Sequence, residues 1–359
     1  MPDTTRPATG LRRLRKLALV ALVTLVVLEL ATRFVLTRPP WSRPFWCAPR
    51  HIFHAELAEV EQAAPRQPGD VEVLLLGGSV LDPRWSQVGA RLERRLQQAF
   101  DQRGGEPPAH VRVFDLARAG QTTLDSFYKY RWLADHRFDL VIVYDAINDV
   151  RFNDCPPELF RDDYGQSIWF RVLASMQPPL DQPLARPSDG WLTFPAALRY
   201  AGLLVAERAG WIATLPPERP RAEWLDYGAD LKTVATYRRN LEDILAIAAA
   251  RGEPVLLPVF ATYLDRWTES TPPKMPQSQL ALELWGRPLN VLAGIEAHNE
   301  VLRELAAGRP GVTVVDLSPL AVARDEVFRD ICHLTPAGSE AFVELLLPDA
   351  LRALASTRP

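Results

Sequence analysis

The chain is poor in the residues that usually announce a metal or a cofactor. Among 359 residues there are three cysteines and six histidines. Away from His333, the histidines His51, His54, His110, His136 and His298 fall at no ligand spacing, so no metal centre is expected. There is no P-loop and no dinucleotide fingerprint, so no organic cofactor is expected either. The absence of an internal repeat excludes solenoids and propellers, and the absence of a low-complexity run excludes a disordered chain. Three cysteines permit at most one internal disulfide. Cys47 with Cys155 is the candidate pair in an oxidising compartment, and buried free thiols are the other possibility, with Cys332 as packing beside a histidine. Positive charge is also scarce outside the N-terminus. The net charge is −3, yet residues 1–50 carry nine Arg or Lys against two Asp or Glu. An acidic body argues against nucleic acid as a partner.

One long apolar run is present. Arg12, Arg13, Arg15 and Lys16 precede a stretch over 17–36 that is interrupted only by Thr24, Glu29, Thr32 and Arg33. Its length suffices to cross a hydrocarbon layer of about 30 Å. The charge-free part, 17–28, is also the length of a signal-peptide core. No small-x-small cleavage site follows it, so an uncleaved transmembrane signal anchor is expected. Residues 1–16 then form a basic cytoplasmic segment, and the body lies on the periplasmic or extracellular side. Arg33, Arg38, Arg43 and Arg50 on the far side oppose that orientation. Pro39, Pro40, Pro44 and Pro49, with Trp41 and Trp46, read as a stalk within 37–68, leading to a short helix over 54–63.

From residue 69 to 359 the chain alternates apolar runs with helical periods, and its 47% hydrophobic content supports a large core. Strands are expected over 71–76, 111–115, 140–144, 255–259 and 312–316, and helices over 83–100, 124–136, 231–250, 290–307 and 336–347. In the first helix Asp82 caps, Pro83 sits in the first turn, and Trp85, Val88, Leu92, Leu96 and Ala99 form the apolar face. Such alternation builds a parallel sheet covered on both sides. Insertions over 153–230 and 261–288 interrupt it. They are aromatic-rich, with Trp169, Trp191, Trp211, Trp224, Tyr263, Trp267 and Trp285, and they read as pocket walls or as surface packing.

The chemistry sits at strand ends. The run V-E-V-L-L-L-G-G-S-V delivers Ser79 into a turn after the first strand, while D-I-C-H-L-T-P-A-G places Asp330 three residues before His333. A serine hydroxyl needs an imidazole to take its proton, and the imidazole needs a carboxylate to fix its tautomer. Ser79, Gly120 and Asn148 all follow the first three strands, and in parallel sheets ligands bind at the carboxyl edge. Asp145 and Asp149 flank Asn148 with no histidine nearby, and read as loop hydrogen-bonders instead of metal ligands. Arg238 and Arg239 read as a solvated helix face.

These residues resemble the SGNH hydrolases, the GDSL esterase/lipase family. The serine block resembles Gly77-Gly78-Ser79-Val80, the second block Leu116 to Thr123 with Gly120, the third Ala146-Ile147-Asn148-Asp149, and the last matches Asp330 through Gly338. The chain departs from the pattern at Gly78, where an Asp is common, and at Ala146, where a Gly is usual. The resemblance implies a flavodoxin-like three-layer α/β/α sandwich around a five-stranded parallel sheet. It implies catalysis by Ser79, His333 and Asp330, with the oxyanion held by the backbone N–H groups of Ser79 and Gly120 and by the Asn148 side chain.

The expected activity is a serine esterase or deacylase acting on an envelope or extracellular ester such as an O-acetylated carbohydrate. An O-acyltransferase would use the same residues with a sugar hydroxyl as acceptor. A catalytically silent module that binds polysaccharide or organises an export assembly is the rival from another class.

Overall fold

The computed structural model describes residues 8–39, 42–102, 110–188, 190, 192–216, 220–263, 284–321 and 324–357. Trp41, Trp191 and Trp267, and most of the 261–288 insertion, lie outside them. The chain divides into two compact units, one made of residues 1–55 with 188–211, the other of 56–187 with 212–359.

The second unit holds a five-stranded sheet: β1 (Val71–Gly77), β2 (Val111–Asp115), β3 (Leu140–Tyr144), β4 (Val255–Pro258) and β5 (Val312–Val315). Every pairing is parallel, in the order β2-β1-β3-β4-β5. The expected α/β class and strand count are therefore borne out. β1 and β3 are buried along their whole length, as strands must be when helices cover both faces.

The helices, in chain order, are α1 (Ala8–Leu36), α2 (Arg50–Phe53), α3 (Leu57–Glu61), α4 (Val88–Gln102), α5 (Thr123–Trp132), α6 (Ile147–Val150), α7 (Ile168–Leu173), α8 (Phe194–Arg208), α9 (Thr233–Arg251), α10 (Pro288–Ala306), α11 (Arg324–Val327) and α12 (Pro336–Thr357). On one side of the sheet α4 packs against α12; on the other α5, α9 and α10 pack side by side. The first core includes Val73, Leu75, Leu92, Leu96, Tyr144 and Phe342. Three layers result.

Register explains the position of the site. Leu75 pairs with Asp115 and Gly77 with Tyr144, so β1 and β3 end level, β2 ends two residues earlier, and their following loops meet at one edge. The order places that edge where the chain reverses direction across the sheet, the usual ligand position in such folds.

Three expectations differ in detail. The helix expected over 83–100 begins at Val88. Asp82 does not cap it: the carboxylate accepts the Arg84 N–H at 3.0 Å and the Ala119 N–H at 2.9 Å. The first of these makes an Asx-turn that holds 82–86 out of the helix, so Trp85 leaves the expected apolar face and stands 47% exposed. The short helix expected over 54–63 is shortened to α3, Leu57–Glu61, and α2 is a separate turn before it. The last helix runs past Pro348 to Thr357 instead of ending near 347.

In the first unit α1 packs against α8. Residues 13–36 are long and apolar enough to cross a membrane. Most of their large side chains are exposed, from Leu17 at 66% to Val35 at 58%.

Gly338, two residues into α12, is the tightest position behind the His333 loop. A Cβ there would lie 2.1 Å from the Val327 carbonyl oxygen, a backbone atom that cannot rotate away. Gly338→Ala should destabilise the fold by about 1–3 kcal/mol, as overpacking typically does, seen as a lower midpoint in thermal unfolding. An unchanged midpoint would mean that α12 and the 327–335 segment are not packed as described.

Candidate active site

Ser79 follows β1 by two residues and is buried. Gly77 and Gly78 permit the turn for steric reasons. A Cβ on Gly77 would meet the Tyr144 carbonyl oxygen at 2.7 Å, and one on Gly78 would meet Asn148 Nδ2 at 2.6 Å. The departure at Gly78 thus has a cause: the Asn148 amide occupies the space a larger residue would need. At Ala146 the φ is −175°, outside the left-handed region that would favour glycine.

His333 reaches the serine from the other end of the chain. Its Nε2 lies 2.8 Å from Ser79 Oγ and its Nδ1 2.6 Å from Asp330 Oδ2. An ionised carboxylate only accepts, so Nδ1–H donates to Asp330 and Nε2 accepts from the serine hydroxyl. Asp330 Oδ1 also accepts the backbone N–H groups of Cys332 at 3.0 Å and His333 at 2.7 Å. Burial works to raise the Asp330 pKa, but the His333 ring and these donors outweigh it and hold the carboxyl below its usual range. The three residues therefore form one hydrogen-bonded chain with the carboxylate ionised. Trp85 meets the His333 ring edge-on at a centroid distance of 5.2 Å, and Trp285 lies at 6.2 Å.

Asn148 sits in α6, just past β3. Its Oδ1 accepts from Trp285 Nε1 at 3.2 Å and its Nδ2 donates to the Gln121 carbonyl at 2.8 Å. An indole only donates and a carbonyl only accepts, so the amide orientation is fixed. Gly120 lies on the loop after β2 with φ +77°, and the space where a Cβ would stand is open to 4 Å. That left-handed backbone favours glycine.

Residues with no local sequence signature hold this loop. The fully buried Lys129 on α5 donates from Nζ to Gln121 Oε1 at 2.6 Å and to the Leu116 carbonyl at 2.5 Å. It lies 3.6 Å from Glu56 Oε1, which also accepts from Gln121 Nε2 at 2.7 Å. From the other side the Asp82 carboxylate takes the Ala119 N–H at 2.9 Å. Burial opposes the ionisation of Asp82, and its bonds to Arg84 and Ala119 overcome that and lower its pKa. Sequence reasoning missed Glu56, Lys129, the loop-holding bond of Asp82 and the Trp285 contact. Only Thr122 and Asp125 carried a readable signal, the spacing of the capping box that starts α5.

Asp330, Cys332 and His333 also bring potential ligand atoms within 4.8 Å of one another. The set does not suit a metal. Both ring nitrogens are engaged, and burial pushes the Cys332 thiol well up, away from the thiolate a metal needs. Cys47, Cys155 and Cys332 are free and buried. His298 stacks on Tyr237 at 4.0 Å, and burial drives its pKa down to about 3. It is a neutral core histidine.

Asp145 and Asp149 are hydrogen-bonded parts of the framework. Asp149 accepts from Thr123 N–H at 3.0 Å, Thr123 Oγ1 at 2.6 Å and the Tyr164 hydroxyl at 2.8 Å. The Asp145 side chain accepts from Ser126 Oγ at 2.6 Å, and its Oδ1 has no hydrogen-bond partner among the described residues. Burial, with the Asp149 charge nearby, pushes Asp145 up to about 8. Burial pushes Asp149 up as well, to about 7, against the pull of its three donors, so the proton that the pair retains sits on Asp145 ahead of Asp149.

The family model described as GDSL-like Lipase/Acylhydrolase matches residues 75–341 of this chain. Among solved structures, the chain is similar to an alpha/beta hydrolase enzyme from the metagenome of Lake Arreo, Spain. That match has 14% identity, covers 80% of this chain and 97% of the other, and has a TM-score of 0.42. It is also similar to an acetylxylan esterase from Geobacillus stearothermophilus, with 13% identity, 79% and 94% coverage, and a TM-score of 0.39. No curated protein matches the chain.

Asp145 should make stability depend on pH. With its folded pKa near 8 and an ordinary value of 3.8, the folded chain keeps a proton that the unfolded chain releases. The associated stability is complete below the lower value and is lost as the pH rises through the upper one. Asp145→Asn, a neutral group of the same shape, should therefore gain thermal stability relative to wild type as the pH is raised from about 6 to about 9. A constant difference between the two unfolding curves across that range would show that Asp145 is ionised in the folded chain.

Proposed function

The chain belongs to the GDSL-like lipase/acylhydrolase family and is an ester hydrolase; from that premise we propose that Ser79, His333 and Asp330 carry out acyl-enzyme chemistry on an O-acylated carbohydrate outside the cytoplasm. The observation that supports this reading best is the chain of bonds from Ser79 Oγ to His333 Nε2 at 2.8 Å and from Nδ1 to Asp330 at 2.6 Å. In the proposed first step the Ser79 oxygen attacks the ester carbonyl carbon while Nε2 takes its proton. The C–O bond to the sugar breaks as His333 returns that proton to the departing alkoxide. Water then repeats the sequence on the acyl-serine, releasing the acid and restoring the hydroxyl. Asp330 keeps Nδ1 protonated and stabilises the imidazolium without itself taking the proton.

The oxyanion is assigned to the N–H groups of Ser79 and Gly120 and to Asn148 Nδ2. The bonds of Asn148 to Trp285 and Gln121 fix its amide before substrate arrives, and donors that need no reorganisation favour the transition state. A carbohydrate substrate is supported by Trp85, which stands beside the His333 ring and is 47% exposed. An aromatic face there suits the apolar face of a sugar. We assign residues 17–36, within the apolar helical stretch 13–36, as a single-pass anchor, with the body outside the cytoplasm.

On p-nitrophenyl acetate, Ser79→Ala should lower kcat by about 10⁴–10⁶, Asp330→Asn by about 10⁴ and Asn148→Ala by about 10²–10³, each in a chain with the wild-type unfolding midpoint. Wild-type turnover in Ser79→Ala would remove the mechanism. Acetate release from an O-acetylated oligosaccharide tests the substrate class. If no acetate is released and acetyl appears instead on an added unacetylated sugar, the enzyme is an acyltransferase.

A further inference from the structure

Charges inside an apolar, bilayer-length helix are costly unless they are partnered. In α1 the two in question are Glu29 and Arg33, one turn apart on the same face and both buried. Glu29 Oε1 accepts from Arg33 Nε at 2.7 Å, from the Thr193 N–H at 2.9 Å and from the Thr193 hydroxyl at 2.8 Å. Glu29 Oε2 accepts from the Phe194 N–H at 2.8 Å. Arg33 Nη1 passes the link on to the carbonyls of Phe45 and Cys47, each at 3.0 Å. Thr193 is the N-cap of α8 but makes no cap bond with its own side chain. A carboxylate from within α1 therefore satisfies amides that the start of any helix leaves orphaned.

The helix held this way is apolar. From Phe194 to Ala206 its one charged residue is Arg199. Leu198 and Val205, seven positions and two turns apart on one face, are each 58% exposed, and Trp211 just beyond the helix is 78% exposed. The same degree of exposure marks α1 in the same unit, with Val23 at 53%, Val27 at 58% and Phe34 at 54%. Glu29 precedes the end of α1 by seven residues, about 10 Å along the axis. If 17–36 crosses about 30 Å of hydrocarbon, that depth lies among acyl chains. The 15 residues of α8 measure about 22 Å, too short to cross.

We propose that residues 192–211 form a second membrane element, in which α8 inserts beside α1 into the leaflet at the C-terminal end of α1, capped by Glu29 and covered by lipid. The proposal rests on the anchor assignment for α1 and extends it. Lipid is the occupant because α8, packed against α1, exposes large apolar side chains to the same degree as α1 does, and because an N-terminus capped by a buried Glu–Arg pair needs no water. Charged Glu207 and Arg208, with Trp211, close the segment with residues suited to the interface.

The test uses the full chain reconstituted into phosphatidylethanolamine/phosphatidylglycerol vesicles with and without a doxyl-labelled phosphatidylcholine. A bimane is attached in turn to Leu198→Cys, Val205→Cys and Val23→Cys. Wild type serves as the blank, since its three cysteines are buried. The expected result is loss of fluorescence at Leu198 and Val205 comparable to that at Val23. Quenching at Val23 with none at Leu198 or Val205 would overturn the proposal, place the α8 face in water or against protein, and leave the anchor standing. No quenching at Val23 would defeat the anchor, and the proposal with it.

Discussion

The bond between Ser79 Oγ and His333 Nε2 joins groups 254 residues apart in the chain, and each end is held by a different part of the fold. Ser79 is carried by β1, buried along its length between two other strands. His333 lies on the segment between α11 and α12, pinned by two backbone bonds to Asp330 Oδ1 and by the Arg329 N–H donating to the His333 carbonyl at 2.9 Å. A shift of about 1 Å at either end breaks hydrogen-bond geometry. The packing of α12 on α4 and the seating of Gly338 against Val327 therefore bear on chemistry as directly as the side chains do.

A second constraint is polar and buried. The loop carrying Gly120 is gripped by Lys129 and Glu56 through Gln121, and by Asp82 through Ala119. Gln121 links that grip to the next strand's loop through its carbonyl and Asn148. Asn148 is tied in turn to Trp285. A buried lysine would be unfavourable without partners; here its partners are the groups that set the loop. The proposed oxyanion role needs donors that do not move during the reaction, and this network would supply that rigidity from outside the residues proposed to react.

Much of this was legible in the chain. Strand ends that share one edge follow from apolar runs of similar length, and Ser79 and the Asp330-x-x-His333 spacing stand beside them. The five-stranded parallel sheet came out as expected. The grip on the loop was not legible, because Glu56, Gln121 and Lys129 meet only after folding, with Gln121 and Glu56 65 positions apart. Nor was the start of α4, where the Asp82 carboxylate found a long-range partner in Ala119 in place of a cap. Glu29 and Arg33 read as interruptions of an apolar run because their partner at Thr193 lies 164 positions away.

The proposed mechanism requires that Ser79 be activated in the intact protein. Reacting the full chain with a fluorophosphonate and locating the adduct by peptide mass spectrometry asks this without knowing the natural ester. An adduct on the peptide carrying Ser79, with labelling sharply reduced in His333→Ala, is the predicted result. An adduct on a different serine, or none on a chain that unfolds at the wild-type midpoint, would contradict it.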